Sequence, residues 1–404
     1  MMMDVYGLPI VLGVVVAFLA VNWIYFKVLR LALLKNLVDN PDARKLQKIP
    51  VPVMGGVAVF FGVICGALFI SSICRFWGFP LHTSWMPILT AMGLMLYVGV
   101  LDDMLGLTPR SRLVIETLAV LGLVYSSGLC IDTFRGMWGI YDFSWYVAVP
   151  LTVFAGVGII NSINMIDGVN GLSSGLCITC CTLFGFAFCQ TRDFFNASLA
   201  FVMAGALVPF FIHNVFGLKS RMFIGDAGTM VMGILMTWFL MNMLSAQSPL
   251  LFFQQQARVN MIALGLAVLS VPVFDTLRVM FMRILKGRSP FSPDKTHLHH
   301  AFVGVGISHF VTAMSEIWIG IVIFAVWVLS VLWHASLEFQ LYWVIGWSAC
   351  LVWGTYALLG YHASRQTAFF RWISSFSPST HLGRKAWWKR FTAWLDAPGD
   401  YSSF

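Results

Sequence analysis

Long apolar runs alternate with short polar turns along most of the chain. About eleven of these runs are each roughly 16 to 25 residues long, close to the length that an α-helix needs to cross a hydrocarbon core of ~30 Å. We therefore predict an all-α, polytopic membrane protein with about eleven transmembrane helices. The predicted spans are Ile10–Leu29, Gly55–Ile73, Pro87–Leu101, Leu113–Leu129, Trp145–Ile160, Leu172–Cys189, Ala197–Phe216, Thr229–Leu244, Met261–Leu285, Met314–Leu332 and Leu341–Leu359.

The composition supports this class. Hydrophobic residues make up 59% of the 404 residues and charged residues only 10%, whereas a soluble domain is about half apolar and about a quarter charged. The formal net charge is +8, but the cations lie between the apolar runs instead of on one soluble face, so we do not expect a nucleic-acid partner. The eight cysteines fall mostly inside apolar runs, where we expect them to pack as small hydrophobes.

The positions of lysine and arginine predict how the chain crosses the membrane. About twenty of these 25 residues lie in the odd-numbered connections between spans or after the last span. The even-numbered connections hold Arg75, Arg135, Arg192 and Arg258. Because cytoplasmic loops carry an excess of Lys and Arg, we predict an external N-terminus and a cytoplasmic C-terminus in the inner (plasma) membrane. The first run follows Asp4 and no cation, which predicts a retained span instead of a secretory signal.

We predict two regions along the chain. Residues 1–364 form a single integral membrane domain whose functional loops face the cytoplasm, and residues 365–404 form a basic, Trp-rich cytoplasmic tail. In the tail, the stretch Arg384-Lys-Ala-Trp-Trp-Lys-Arg-Phe-Thr-Ala-Trp-Leu places cations and tryptophans at helical spacing. This pattern is typical of an interfacial helix on an anionic leaflet.

The segment Arg283–His300 is the densest polar stretch of the chain. It contains four cations, one carboxylate and three imidazoles in eighteen positions. A basic membrane anchor explains the lysines and arginines, but the two prolines and the His-x-His-His sequence do not follow from that role. A zinc site would also use histidine, yet no cysteine or second histidine pair accompanies the motif. Imidazoles beside Arg288 and Lys295 favour phosphate binding.

Carboxylates occur at two predicted cytoplasmic span ends. Asp102 and Asp103 are adjacent at the end of the third span, and neighbouring carboxylates are stable together mainly when a cation or a shared proton intervenes. Hard oxygen ligands suit Mg²⁺, which binds through one or two carboxylates and substrate phosphates. Asp226 precedes the eighth span, where Asp is also a routine N-cap. A functionless Asp pair at a helix end is the alternative for the first site, whereas metal ligation is favoured for Asp226.

A polar stripe lies between the fifth and sixth spans. Asn161, Asn164, Asp167 and Asn170 recur every three residues, a spacing that can line one side of a helix end or tight turn. The same stretch contains three glycines between positions 168 and 175, which remove side-chain bulk where a phosphate or a metal must approach. Packing between apolar spans does not explain this combination, so we favour a binding site.

Two further features allow a structural explanation. Lys48 precedes the Gly55-Gly56 pair at the second span, and these residues either contact substrate or form a rigid entry to the helix. Asp275 and Arg278 are spaced i, i+3 within the ninth predicted span and favour a structural ion pair that lowers the cost of burial.

Together these motifs resemble the polyprenyl-phosphate N-acetylhexosamine-1-phosphate transferase family, whose members start lipid-linked glycan synthesis by moving a sugar phosphate from a UDP-sugar to a lipid phosphate. The resemblance covers the chain from about Lys48 to His300. The last motif is most similar to the branch that makes undecaprenyl-pyrophosphate-N-acetylglucosamine. The motifs are Pro-x-Met-Gly-Gly, Leu-Asp102-Asp103, Asn164-Met-Ile-Asp167-Gly-Val-Asn170-Gly, Phe-Ile-Gly-Asp226-Ala-Gly and Ser-Pro-Phe-Ser-Pro-Asp294-Lys-Thr-His297-Leu-His299-His300.

The resemblance implies one helical membrane transferase domain with a Mg²⁺ site, Mn²⁺ being an alternative, at the cytoplasmic surface. Asp226 together with Asp167 or Asn170 would hold the metal, and Asn170 stands where many bacterial members have Asp. The catalytic residues it implies are Asp102, Asp103 and Asp167. The substrate-binding residues it implies are Lys48, Asn164, Arg288, Lys295, His297, His299 and His300.

The implied substrates are a UDP-N-acetylhexosamine and undecaprenyl phosphate, and the released product is UMP. The surrounding membrane lipid is a further implied partner. We expect the lipid phosphate to attack the phosphorus nearer the sugar while Mg²⁺ and the basic loop neutralise the anionic charge. Direct attack and an aspartyl-phosphate intermediate both stay open, as does assembly into a homodimer. An exporter or flippase is the alternative; it needs ionisable residues deep in the bundle, for which the sequence offers Asp275, Arg278 and Glu116.

Overall fold

The computed structural model describes residues 2–40, 49–78, 85–248, 258–290, 296–381 and 385–397. Almost all of the regular structure is helical, which confirms the all-α class. The helices are α1 Met2–Leu34, α2 Gly55–Phe76, α3 Met86–Leu105, α4 Pro109–Ser127, α5 Trp145–Met165, α6 Leu172–Gln190, α7 Phe194–Phe216, α8 Gly225–Leu244, α9 Met261–Val268, α10 Ser270–Leu285, α11 Leu298–Gly304, α12 His309–Leu332, α13 Leu337–Ser348, the π-helical Ala349–Trp353, α14 Gly354–Arg365, α15 Ala368–Phe376, the 3-10 turn Ser377–Thr380 and α16 Ala386–Asp396. The strands are β1 Val38–Asp39, β2 Val51–Pro52, β3 Thr133–Met137 and β4 Ile140–Asp142.

The described residues contain nine helices that are long and apolar enough to cross a membrane: α1 to α3, α5 to α8, α12, and the continuous stretch Leu337–Arg365. The ninth predicted span is instead two helices, α9 and α10, bent by 80°, and counting this pair as one span gives ten. The fourth predicted span is helical as expected, but α4 carries Arg110, Arg112 and Glu116 and is not among the apolar candidates. The predicted number of about eleven therefore becomes nine or ten by length and composition.

The bend between α9 and α10 follows from Pro272. In a continuous helix the N–H of residue 272 would bond to the carbonyl of Val268, but proline has no N–H. The Val268 carbonyl instead accepts a hydrogen bond from Cys180 Sγ at 3.2 Å. After the bend, α10 ends beside a cavity that Arg283 helps to line.

Helix α8 is the most buried of the candidate spans, and it packs against α3 and α5. A Cβ atom at Gly99 of α3 would lie 2.3 Å from the Ala227 Cα atom, and one at Gly56 of α2 would lie 2.3 Å from the Gly228 nitrogen. Small residues at such contacts let helix backbones approach closely inside a membrane. The close approach of α3 and α8 places the acidic end of α3 against the start of α8.

Two small antiparallel ribbons, β1–β2 and β3–β4, complete the fold. Next to the first ribbon, Val53 forms a parallel bridge with Phe223. The N–H groups of Gly55 and Gly56 bond to the carbonyls of Phe223 and Ile224 at 2.9 and 2.8 Å. Since a Cβ atom at Gly55 would lie 2.7 Å from the Phe223 carbonyl oxygen, the glycine pair has a structural role in joining the entries of α2 and α8.

Candidate active site

A cavity of about 500 Å³ lies at one end of the helical bundle. It is bounded by the ends of α3, α5 and α7, the starts of α8 and α12, and the His-rich α11. Eight residues predicted from the sequence to form the site are in its wall: Asp103, Asn164, Asp167, Asn170, Asp226, His297, His299 and His300. The tertiary structure therefore brings four separate motifs to one cavity.

Asp103 and Asp226 meet where α3 contacts α8. The Asp103 carboxylate accepts the backbone N–H groups of Asp226 at 3.0 Å and of Ala227 at 3.3 Å, so it caps the N-terminus of α8. Gly225 has φ of +72°, and a Cβ atom there would lie 2.5 Å from Asp103 Oδ2. Glycine is therefore required at position 225 both by the backbone conformation and by the closeness of α3.

Asp102 does not line the cavity as its neighbour does. Its carboxylate accepts the Leu107 N–H at 2.8 Å and pairs with Arg112 Nη1 at 3.3 Å. The Arg112 guanidinium also contacts Glu116 at 3.0 Å and Asp226 at 3.5 Å. Arg112 was not predicted as a site residue; it lies one turn before a buried glutamate, and that i, i+4 spacing was the available signal.

One residue of the polar stripe supports the Arg112 network, and the others line the cavity. Asn161 donates to Glu116 Oε2 at 2.5 Å and so supports the Arg112 network. Asn164 donates to the Asp226 carboxylate and to Thr229 Oγ1, the latter at 2.8 Å. Amide donation of this kind fixes the Asp226 carboxylate at the start of α8.

Asp167 faces the cavity between α5 and α6. Its carboxylate accepts the Ser173 hydroxyl at 2.6 Å. Although the side chain is open to the cavity, the surrounding bundle removes it from bulk water, and this desolvation, with the Asp226 and Asp39 carboxylates, raises its pKa to about 7 despite the Ser173 hydrogen bond. A cation between these carboxylates would relieve that repulsion.

The His motif is held by the buried ion pair of α10. Asp275 Oδ2 pairs with His297 Nδ1 at 2.8 Å, and Asp275 Oδ1 pairs with Arg278 Nη2 at 2.7 Å and accepts the Leu298 N–H at 3.1 Å. Arg278 also donates to the Thr296 carbonyl. The predicted Asp275–Arg278 pair is present, and it also orients the first histidine of the motif.

His299 lies against the polar stripe. A Cβ atom at Gly168 would lie 2.4 Å from His299 Nε2, which explains the glycine there. Burial, followed by the neighbouring His300 and His297 rings, holds the pKa of His299 well below its usual value, so the imidazole is neutral. Among the described residues its Nδ1 has no hydrogen-bond partner, which leaves a buried donor or acceptor at the cavity wall.

The basic residues of the predicted site differ in their position relative to the cavity. Arg288 is exposed and is not among the residues that line the cavity, whereas Arg283 of the same segment is buried and lines it. Lys48 and Lys295 lie outside the described residues. The substrate-binding roles of these three predicted residues stay predictions.

Polar residues at two helix ends were missed by the sequence analysis. Asn214 accepts the Gly171 N–H at 2.7 Å and donates to the Met222 carbonyl at 2.9 Å, so it joins the α5–α6 and α7–α8 turns. His309 Nδ1 accepts the Asn170 N–H at 3.4 Å. Both are polar residues at the ends of apolar runs, which is the signal that could have identified them.

The oxygen donors fit a hard divalent cation. Asp103, Asp167, Asp226 and the Asn170 amide all face the cavity. In the described part of the chain, no group of three or more His, Cys, Asp or Glu side chains is already arranged for metal binding. Mg²⁺ commonly uses only one or two carboxylates and completes its shell with water and substrate phosphates, so this donor set suits Mg²⁺ better than a metal bound by the protein alone.

Comparisons with known proteins agree with the motifs. The family model "Glycosyl transferase family 4" matches residues 85–244. The chain is 30% identical over 310 residues to a Bacillus subtilis (strain 168) protein named "Probable undecaprenyl-phosphate N-acetylglucosaminyl 1-phosphate transferase", covering 76% of this chain and 81% of the relative. It is 30% identical over 330 residues to the "Decaprenyl-phosphate N-acetylglucosaminephosphotransferase" of Mycolicibacterium smegmatis (strain ATCC 700084 / mc(2)155), covering 77% and 78%. It is 28% identical over 286 residues to the Yersinia pestis "Undecaprenyl-phosphate alpha-N-acetylglucosaminyl 1-phosphate transferase", covering 69% and 73%.

Proposed function

The chain belongs to glycosyl transferase family 4, and from this premise we propose that it transfers N-acetylhexosamine-1-phosphate from a UDP-sugar to undecaprenyl phosphate and releases UMP. N-acetylglucosamine is the proposed sugar, because the relatives are named for it. The product would start the synthesis of a lipid-linked cell-surface polysaccharide.

The observation that carries the proposal is the convergence of an acidic and a histidine-rich wall in one cavity. Asp167 and Asp226 lie on one side, and His299 contacts Gly168 from the other. An acidic pocket by itself would repel two phosphate-bearing substrates. Asp226, with Asp167 or Asn170, would hold Mg²⁺, which neutralises phosphate charge and polarises the diphosphate when bound.

The residues then have separate roles. The histidines and Arg283 bind and orient the UDP-sugar diphosphate, since imidazole N–H groups and a guanidinium donate to phosphate oxygens without adding negative charge. An oxygen of the lipid phosphate attacks the phosphorus nearer the sugar, and the bond from that phosphorus to the UMP oxygen breaks. Asp103 already accepts two backbone N–H groups of α8, which favours a positioning role and direct attack over an aspartyl-phosphate at this residue.

The cavity is proposed to face the cytoplasm of the inner membrane. It lies at the bundle end that carries the cation-rich connections, including Lys35, Arg110 and Lys219, and these connections are typical of the cytoplasmic side. An exporter or flippase is less favoured. Its candidate ionisable residues are already paired with neighbouring side chains, Asp275 with Arg278 and Glu116 with Arg112.

A donor panel tests the proposal. Purified protein is incubated with undecaprenyl phosphate, Mg²⁺ and radiolabelled UDP-sugars, and UMP and the lipid product are identified by mass. We expect UMP release only with N-acetylated hexosamine donors and an activity loss of roughly 10³-fold for Asp226→Ala. Asp142→Ala, at the opposite end of the bundle, is the matched control and should stay active. Full activity of Asp226→Ala, or transbilayer movement of lipid without UMP release, would contradict the proposal.

A further inference from the structure

The segment that follows the last candidate span contacts a loop that leads into the cavity. The Asp396 carboxylate at the end of α16 accepts the backbone N–H groups of Leu218, Lys219 and Ser220 at 3.2, 3.0 and 3.0 Å, and the Ser220 hydroxyl at 2.6 Å. Burial alone would raise the pKa of Asp396, but these hydrogen bonds hold it below its usual value. The Asp396 carboxylate is therefore charged and accepts hydrogen bonds from three consecutive backbone N–H groups.

The loop that Asp396 binds is connected to the acidic wall. Tyr25 Oη donates to the Ser220 carbonyl at 2.8 Å. Two residues further on, the Met222 carbonyl accepts the Asn214 amide, whose oxygen accepts the Gly171 N–H next to Asn170. The same loop then enters α8 at Asp226. Residues 218–220 are thus connected through hydrogen bonds and the chain itself to both the Asn170 turn and the start of α8.

The same segment also holds the turn between α11 and α12. The Ser308 N–H donates to Thr380 Oγ1 at 3.2 Å, and the Ser308 hydroxyl donates to the Thr380 carbonyl at 2.7 Å. Ser377 donates to the Gly306 carbonyl. This turn separates the His-rich α11 from His309, so the segment contacts loops on both walls of the cavity.

Helix α16 carries both packed and exposed aromatic residues. Trp388 and Phe391 pack on Phe216 at the end of α7, with ring centroids 5.0 and 5.8 Å apart from it. Beside these packed rings Trp387 and Trp394 are 57% and 70% exposed, with Trp387 next to Trp388 and Trp394 stacked on Phe391. Lys389 and Arg390 are exposed as well, and a helix with exposed tryptophans and cations fits the surface of an anionic leaflet.

We propose that α16 is a lipid-operated latch: anionic phospholipid binds its exposed residues Trp387, Lys389, Arg390 and Trp394, and Asp396 transmits that binding to residues 218–220. The occupant is the bilayer surface, because the charge is complementary and the segment follows directly from a span that ends at Arg365. The latch goes beyond the proposed transfer reaction and shares with it only the membrane orientation.

Amide hydrogen exchange of the full chain in nanodiscs tests the latch without using activity. The peptide that covers residues 216–224 is followed by mass spectrometry in neutral phosphatidylcholine and in the same lipid with roughly 30% phosphatidylglycerol. We expect exchange of the 218–220 amides to be roughly tenfold slower in the anionic nanodiscs. The double variant Lys389→Gln/Arg390→Gln should lose this difference. The matched control Lys35→Gln/Arg110→Gln removes two exposed cations elsewhere and should keep it.

A third variant separates the lipid contact from its transmission. In Asp396→Asn, the 218–220 amides should exchange rapidly in both lipids, while α16 itself stays protected in the anionic nanodiscs. Equal exchange of the wild type in the two lipids would overturn the proposal, and so would a lipid effect that persists in Lys389→Gln/Arg390→Gln. A protein that shows the exchange pattern but releases no UMP would contradict the proposed function and leave the latch intact.

Discussion

The Asp103 carboxylate accepts the backbone N–H group of Asp226 at 3.0 Å, so one acidic residue of the cavity caps the helix whose first turn carries another. The two residues are distant in the sequence and are joined by the close packing of α3 and α8. This relationship makes the position of Asp226 depend on α3 as well as on its own helix.

Replacing Asp103 by Ala should therefore affect stability and activity together. Loss of a helix cap costs about 1 kcal/mol, which lowers the melting temperature by a few degrees, and displacement of Asp226 should lower kcat by roughly 10²-fold. Asp193→Ala is the matched control, because Asp193 caps α7 at the opposite end by accepting the Asn196 N–H at 3.1 Å. The control should lose similar stability and keep its activity. Equal losses of activity in both variants would show that Asp103 acts through stability alone.

Gly99→Ala should separate α3 from α8. A Cβ atom at this position would lie 2.3 Å from the Ala227 Cα atom, so the backbones must move apart. We expect a stability loss of about 1–3 kcal/mol, as for other overpacked contacts, together with reduced activity. Gly93→Ala on the same helix is the control, since its Cβ atom would meet only Phe60 at 3.8 Å. Thermal unfolding in detergent measures the stability of both variants. A Gly99→Ala variant as stable as the wild type would refute the close contact.

Arg112→Ala should leave the buried Glu116 without its cation. Removing one partner of a buried pair typically costs about 3–5 kcal/mol, and Asp226 also loses a cation at 3.5 Å. The double variant Arg112→Ala/Glu116→Gln should regain part of the stability but not the activity, because Asp226 is still unsupported. Arg110→Ala, which removes an exposed cation on the same helix, should change neither the stability nor the activity. Recovery of full activity in the double variant would show that Arg112 does not support the active site.

Mg²⁺ binding should depend on pH through Asp167. The metal-free carboxyl has its pKa raised to about 7, so below that pH the cation must displace a proton. The dissociation constant for Mg²⁺, measured by calorimetry, should rise by up to about tenfold for each unit of pH below 7 and level off above it. For the same reason the metal-free fold loses stability as pH rises from the ordinary carboxyl pKa of 3.8 towards about 7. Asp167→Asn should bind Mg²⁺ more weakly with a flatter pH profile, and an unchanged profile would exclude Asp167 as a ligand.

Helix positions and the motifs that meet at the cavity were largely predictable, whereas the bend and the choice among similar residues were not. Each predicted span is helical because apolar runs of membrane length satisfy their own backbone hydrogen bonds as helices. The break at Pro272 was missed because the apolar pattern continues through it, and α4 was predicted as a span although Arg112 and Glu116 belong to the cavity network. Asp102 and Asp103 are chemically identical in the sequence, but only Asp103 faces the cavity. Arg283, and not Arg288, is the arginine of the basic segment that lines it.

The sequence by itself determined the class of the protein, the position and order of most of its helices, and the motifs that identify its family. These properties are local, since they depend on side-chain polarity and on spacing along a single segment. The tertiary structure decided which carboxylate faces the cavity, which arginine supports it, and which glycines allow α3, α8 and the His motif to approach. Those outcomes depend on contacts between segments far apart in the chain, and they are set by how closely the helices pack.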